Sequence, residues 1–136
     1  MTRVVLFQVK EVKEKLFRLA ETAAGHFEKK EPILIAVEDE KTEQYVDELL
    51  WKTPVSSFLP HLVAQTTTHE FVVITRTKQN LNQARYAFNL CSTPLLIDGP
   101  FRIIYDFEDL TSPHKKQLSA LRFDSYKKAQ WAIEAR

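Results

Sequence analysis

The sequence predicts an α/β protein built in three layers around a mostly parallel central sheet of about five strands. Three observations carry that expectation. Short apolar runs, such as Ile33-Leu34-Ile35-Ala36-Val37, alternate with longer amphipathic stretches. A run of that length is too brief for an independent helix and suits a strand covered on both faces. The order β-α-β-α then implies parallel strands joined by right-handed crossovers. No repeat, linker or low-complexity tract interrupts the 136 residues. Residues 1–136 are therefore expected to fold as one domain, large enough for a core without metal or disulfide.

The elements follow in order. Residues 3–9 read as a first strand, with β-branched, aliphatic and aromatic side chains at Val4, Val5, Leu6 and Phe7. From 11 to 27 the period becomes helical: Val12, Leu16, Leu19, Ala20, Ala23 and Phe27 share one side, and Glu14 pairs with Arg18 on the other. Gly25 and Pro32 suggest where that helix stops. The second strand, 33–37, leads through Glu38-Asp39-Glu40 into a helix with Tyr45, Val46, Leu49 and Leu50 as its apolar positions. Carboxylates in a first turn are stabilised by the helix dipole. The helix finishes near Trp51, and Pro54 forbids its continuation. Residues 70–75 (EFVVIT), 86–90 (YAFNL) and 101–107 (FRIIYDF) read as three further strands, with KQNLNQ a loop or single turn and Asp98-Gly99-Pro100 a turn. Ser112-Pro113 caps a last helix expected to reach about Trp131. The whole is Rossmann-like in its layering.

Composition narrows the function. Hydrophobic residues at 44% and charged residues at 27% are those of an ordinary soluble globular protein. Nineteen basic against 18 acidic residues give a global field that favours neither nucleic acid nor cationic ligands. Cys91 is the sole cysteine, so an internal disulfide is impossible, which fits a reducing cytosol. The opening residues lack a signal-peptide pattern. No apolar run approaches the ~20 residues of a membrane span, so a cytoplasmic protein is expected.

The chemistry of an enzyme is missing. Phosphate cradles need glycine between a strand and the next helix, and neither Gly25 nor Gly99 lies there. The acidic turn after the second strand would repel a phosphate. Glu38 with Glu40, or Asp106 with Glu108, are candidate pairs for a divalent cation in phosphodiester chemistry, with helix capping or a solvated rim as the plainer role. His26, His61, His69 and His114 have no ligand spacing. Cys91 follows an apolar strand without a basic neighbour, which points to inert packing. The sequence calls for no cofactor, no metal and no catalytic residue.

Two stretches invite partners instead. Trp51 and Phe58 are either core or the anchor of a binding surface. In the last helix Leu118, Leu121, Ser125 and Ala129 have core-facing spacing. Arg122, Phe123, Tyr126 and Lys127 then lie on its flanks, mixing aromatic rings with cations. Such a surface suits an acidic, partly apolar peptide, or single-stranded nucleic acid, for which six cations on a near-neutral domain are meagre.

These residues together resemble a known family. Leu34-Ile35-Ala36, Glu38-Asp39-Glu40, Asp47-Glu48, Leu50-Trp51 and Ser57-Phe58-x-Pro60-His61 stand where the chi subunit of bacterial DNA polymerase III (HolC) carries its LIA strand, acidic turn, helix end and SFxPH motif. Asp106-Phe107, Lys116-Gln117-Leu118, Arg122-Phe123 and Tyr126-Lys127 match its later pattern in part. The likeness spans nearly the whole chain, with the 34–61 block the specific part. It implies a non-catalytic clamp-loader adaptor for DNA replication, acting as a monomer or heterodimer with mainly indirect contact to nucleic acid. Trp51, Phe58, Pro60 and His61 would meet the psi subunit, or a substitute such as an accessory helicase. Lys116, Arg122, Phe123, Tyr126 and Lys127 would meet the acidic carboxyl-terminal tail of the single-stranded-DNA-binding protein. Two of the family's cationic positions are Ala120 and Asp124 here, so a weakened or relocated tail contact is expected. From other classes, a metal-dependent phosphodiesterase using Glu38, Glu40 and Asp106, or direct single-stranded DNA binding through the last helix, are the alternatives.

Overall fold

A computed structural model describes residues 2–52, 59–97 and 99–136. Pro54, Ser57 and Phe58, and Asp98 of the expected turn, lie outside the described residues. The chain runs β1 (Arg3–Val9), α1 (Val12–Glu28), β2 (Ile33–Ala36), α2 (Glu40–Lys52), β3 (Leu62–Val63), β4 (Val72–Thr75), β5 (Tyr86–Asn89), β6 (Ile103–Asp109), α3 (Pro113–Lys128) and β7 (Ala132–Ala135). All five expected strands form, and β3 and β7 add to them. The resulting sheet has the order β3-β4-β2-β5-β6-β1-β7. Each neighbouring pair is parallel.

Side chains alternate across this sheet with the period of two that a strand imposes. Val5, Phe7, Ile33, Ile35, Ile74 and Phe88 face α1 and α2, and pack with Leu19, Ala23, Val46 and Leu50 in one core. On the other face, Val4 and Leu6 meet Tyr126 of α3, flanked by Phe123, Trp131 and Ile133. Among the described residues, no helix covers the rest of that face. Leu81, Ala84, Cys91, Leu95 and Phe101, from the stretches before β5 and β6, cover Leu34, Ala36 and Val73 instead. The third layer is thus part helix and part loop. All four residues of β2 are buried, as its unbroken apolar run requires.

Both long helices end without glycine. Lys30 adopts φ 58° after α1 and Gln130 adopts φ 63° after α3. In each case the reversed residue and the next donate N–H groups back to the last turn: Lys30 to Phe27 and Glu31 to His26, then Gln130 to Lys127 and Trp131 to Tyr126. This is the Schellman arrangement, held here by residues with a Cβ. Gly25 lies inside α1 rather than closing it. The last helix therefore stops at Lys128 instead of Trp131, and the chain turns to lay β7 beside β1.

The inward side of α3 also differs from expectation. Ser119, Arg122 and Tyr126 are its buried residues, whereas Leu121 is 58% exposed and Ala129 is exposed. Apolar spacing fails there because β6 presents Asp106 to the helix, and a buried carboxylate needs donors more than it needs leucine.

Candidate functional site

The end of α2 and the chain after it form the first surface. Leu59 enters the core and donates its N–H to Leu50 O at 3.2 Å, which ties the returning chain to the helix. His61 follows, with its side chain enclosed. Its Nδ1 lies 2.6 Å from Leu59 O and its Nε2 2.7 Å from Asp47 Oδ1, so both ring nitrogens are held. The Trp51 ring rests 4.4 Å from this fixed imidazole, tilted by 48°. Trp51 keeps 49% of its surface exposed, and Pro60 is exposed beside it in sequence. Of the residues expected to meet a partner here, Trp51 and Pro60 are accessible. His61 is not, and can act only by positioning Trp51. Asp47 was readable only as part of a motif; its hold on His61 spans fourteen residues, which helical spacing does not report.

The second surface is α3. Lys116 and Lys127 are exposed, and the Lys127 ammonium stands 4.6 Å from the centre of the half-buried Phe123 ring. Arg122 and Tyr126, expected on the helix flanks, turn inward. Arg122 Nε donates to Asp106 Oδ2 at 3.2 Å and Oδ1 at 3.3 Å. Its Nη2 donates to Phe107 O and Ser119 Oγ, and its Nη1 to Ser92 O. Tyr126, 0% exposed, donates its hydroxyl to Asp106 Oδ2 at 2.6 Å. Asn89 donates to the same oxygen at 3.1 Å. Burial raises the Asp106 carboxyl above its ordinary value, against the opposing pull of Arg122, Tyr126 and Asn89. Burial, with the Asp106 charge, also pushes the Tyr126 phenol up. The cluster fastens α3 to the ends of β5 and β6. The signal that could have found it is Asp106 itself, a carboxylate within the otherwise apolar stretch Ile103–Phe107, whose burial calls for a cationic partner.

The carboxylates Glu38, Glu40 and Asp106, offered as a metal-dependent alternative, do not form one cluster among the described residues. Among the described residues, no group of three histidine, cysteine, aspartate or glutamate side chains could hold a metal ion. Asp106 is engaged by Arg122, and Glu38 Oε1 accepts from the N–H and hydroxyl of Ser92. Glu108 accepts from Gln8. Burial lifts the Cys91 thiol to about 11, so little thiolate forms near neutral pH.

Against known families, the model of the DNA polymerase III chi subunit, HolC, matches residues 1–134. The chain belongs to the chi family. No curated protein matches it. The chi pattern in residues 34–61 maps onto β2, α2 and the returning chain at Leu59, so the block that carries the likeness also builds the Trp51–His61 platform. Among the described residues, no helix is long and apolar enough to cross a membrane.

Proposed function

We propose that this chi-family chain is a non-catalytic, cytoplasmic replisome adaptor, joining the clamp loader through psi, or a substitute for it, to the single-stranded-DNA-binding protein. The observation that carries this reading is the half-exposed Trp51 ring seated on an immobilised His61. An aromatic ring held rigid at the surface loses little entropy on docking and is the usual form of a hot-spot anchor. Pull-down from native extract tests it. Wild type should retain a clamp-loader component that Trp51→Ala and Phe58→Ala lose; equal recovery by all three would sink the assignment.

The tail-binding side carries a narrower claim. With Arg122 and Tyr126 turned inward, Lys116, Phe123 and Lys127 remain to meet an acidic tail, and Ala120 and Asp124 are exposed beside them. Each lost charge-assisted contact costs about 1.5–3 kcal/mol, and Asp124 adds repulsion. The tail interaction is therefore weak in this member. Titration of a fluorescent tail peptide at physiological salt should miss the submicromolar range, and Asp124→Lys should tighten binding. Submicromolar affinity of the wild type contradicts this part alone.

A further inference from the structure

We infer that the cleft at the carboxyl ends of β1, β2, β5 and β6 binds a small organic monocarboxylate with an apolar body. Open parallel sheets bind ligands at this edge, and the cleft holds about 870 Å³, within the range of small-molecule sites. Leu16, Val46, Leu90, Phe107 and Leu118 line it with apolar surface. At its rim Val12 is 54% exposed and Tyr45 48% exposed, although both belong to the apolar stripes of their helices. Residues with core spacing that stay open to a cleft provide apolar contact for something other than the chain itself.

Charge decides what that something carries. The lining contains Lys15, Lys41, Lys115 and Arg122 against Glu38, Asp106 and Asp109. Lys15 pairs with Asp109 at 2.7 Å and Arg122 with Asp106. Lys41 and Lys115 then stand against Glu38, whose carboxylate already accepts from Ser92. Among the described residues, no ion pair or side-chain hydrogen bond engages either ammonium. Counted over the lining alone, with His114 neutral, the remainder is one positive charge, which matches a monoanion.

Phosphate is disfavoured on separate grounds. Three helices begin at this edge, and a side chain at each start already accepts from a nearby amide. Glu14 accepts from the Lys10 and Glu11 N–H groups, Asp39 from Thr42, and Ser112 from Lys115. No glycine lines the cleft to let backbone approach an anion. The anion must be met by lysine side chains, with its body laid on the leucines, Val46 and Tyr45.

Decanoate is the probe. Calorimetry on the full chain should show saturable one-site binding, and amide shifts in NMR spectra should cluster at Val12, Tyr45 and Lys115. Lys41→Glu and Lys115→Glu should each weaken binding roughly tenfold or more, while Lys128→Glu, at the far end of α3, should not. Decanol should bind far more weakly, and inorganic phosphate should not displace decanoate. Lys41 and Lys115 are exposed, so unchanged urea midpoints will show that the variants fold. Absence of saturable binding, affinity unmoved by the charge reversals, equal binding of decanol, or displacement by phosphate each overturns the inference. None of these outcomes bears on the adaptor reading, which concerns other surfaces.

Discussion

Replacing Arg122 by methionine separates two roles for that side chain. If its guanidinium reached a partner, the fold would barely notice the change. In the structure it donates to Asp106, Phe107 O, Ser119 Oγ and Ser92 O, and Met keeps only the apolar stem. Removing one member of a buried ion pair costs about 3–5 kcal/mol. Asp106 retains the Tyr126 hydroxyl, Asn89 and the Phe107 N–H, which places the expected loss near the lower bound, about 3 kcal/mol. For a chain of this size that is roughly 6–12 °C in Tm, and a large part of a typical 5–15 kcal/mol total. Asp106 also gives the loss a pH signature. Burial holds its carboxyl above the ordinary value, and Arg122 opposes that shift. Without Arg122 the carboxyl rises further. The folded state then takes up a proton before the unfolded state does, so stability is regained as pH falls through the folded value and lost as pH rises through it. Urea unfolding followed by circular dichroism should show a deficit that is large at pH 8 and narrower near pH 5. Asp106→Asn combined with Arg122→Met should recover part of it. A loss under about 1 kcal/mol, within the range of exposed pairs, or a deficit independent of pH, would refute the buried-pair account.

Other expectations follow from the same contacts. Burial depresses His26 below its ordinary 6.5, despite the Glu31 carboxylate 3.0 Å away. Its neutral form supports the fold fully above pH 6.5, and stability should decline as pH falls through that value toward the lower folded one; His26→Gln should flatten that segment of the urea-midpoint profile. His61→Ala should weaken partner capture as Trp51→Ala does and also lower stability by about 1–3 kcal/mol, since it removes an enclosed ring together with its contacts to Leu59 O and Asp47; Trp51→Ala should leave the urea midpoint nearer wild type. Cys91, with its thiol lifted to about 11, should resist a disulfide reagent at pH 8 until urea unfolds the chain.

The parts of the fold that burial alone dictates were legible in the sequence. Ile33–Ala36 reads as a central strand because every residue is apolar, and every one is buried. The start of α3 was equally plain: Ser112 accepts from the Lys115 N–H, and Pro113 follows. Its end was not. Gln130 takes a left-handed backbone that sequence signals reserve for glycine, so Trp131 looked like more helix when it belongs to the turn before β7. β3, at Leu62–Val63, is too short to show alternation. At the candidate site Trp51 was visible as an aromatic at a helix end, but His61 and Arg122 looked like surface groups. Their enclosure depends on Asp47 and Asp106, and polar partners distant in sequence leave no periodic trace.

The register of β1 has a consequence for biosynthesis. Arg3 aligns with Ile103 on one side and with Ala132 on the other, so this strand is closed only by segments translated about a hundred residues later. At ribosomal speeds of roughly 5–20 residues per second, an apolar ribbon waits several seconds without its neighbours. Nascent chains stalled before β6 should therefore recruit chaperones through Val4–Phe7, and release should coincide with emergence of the final strand.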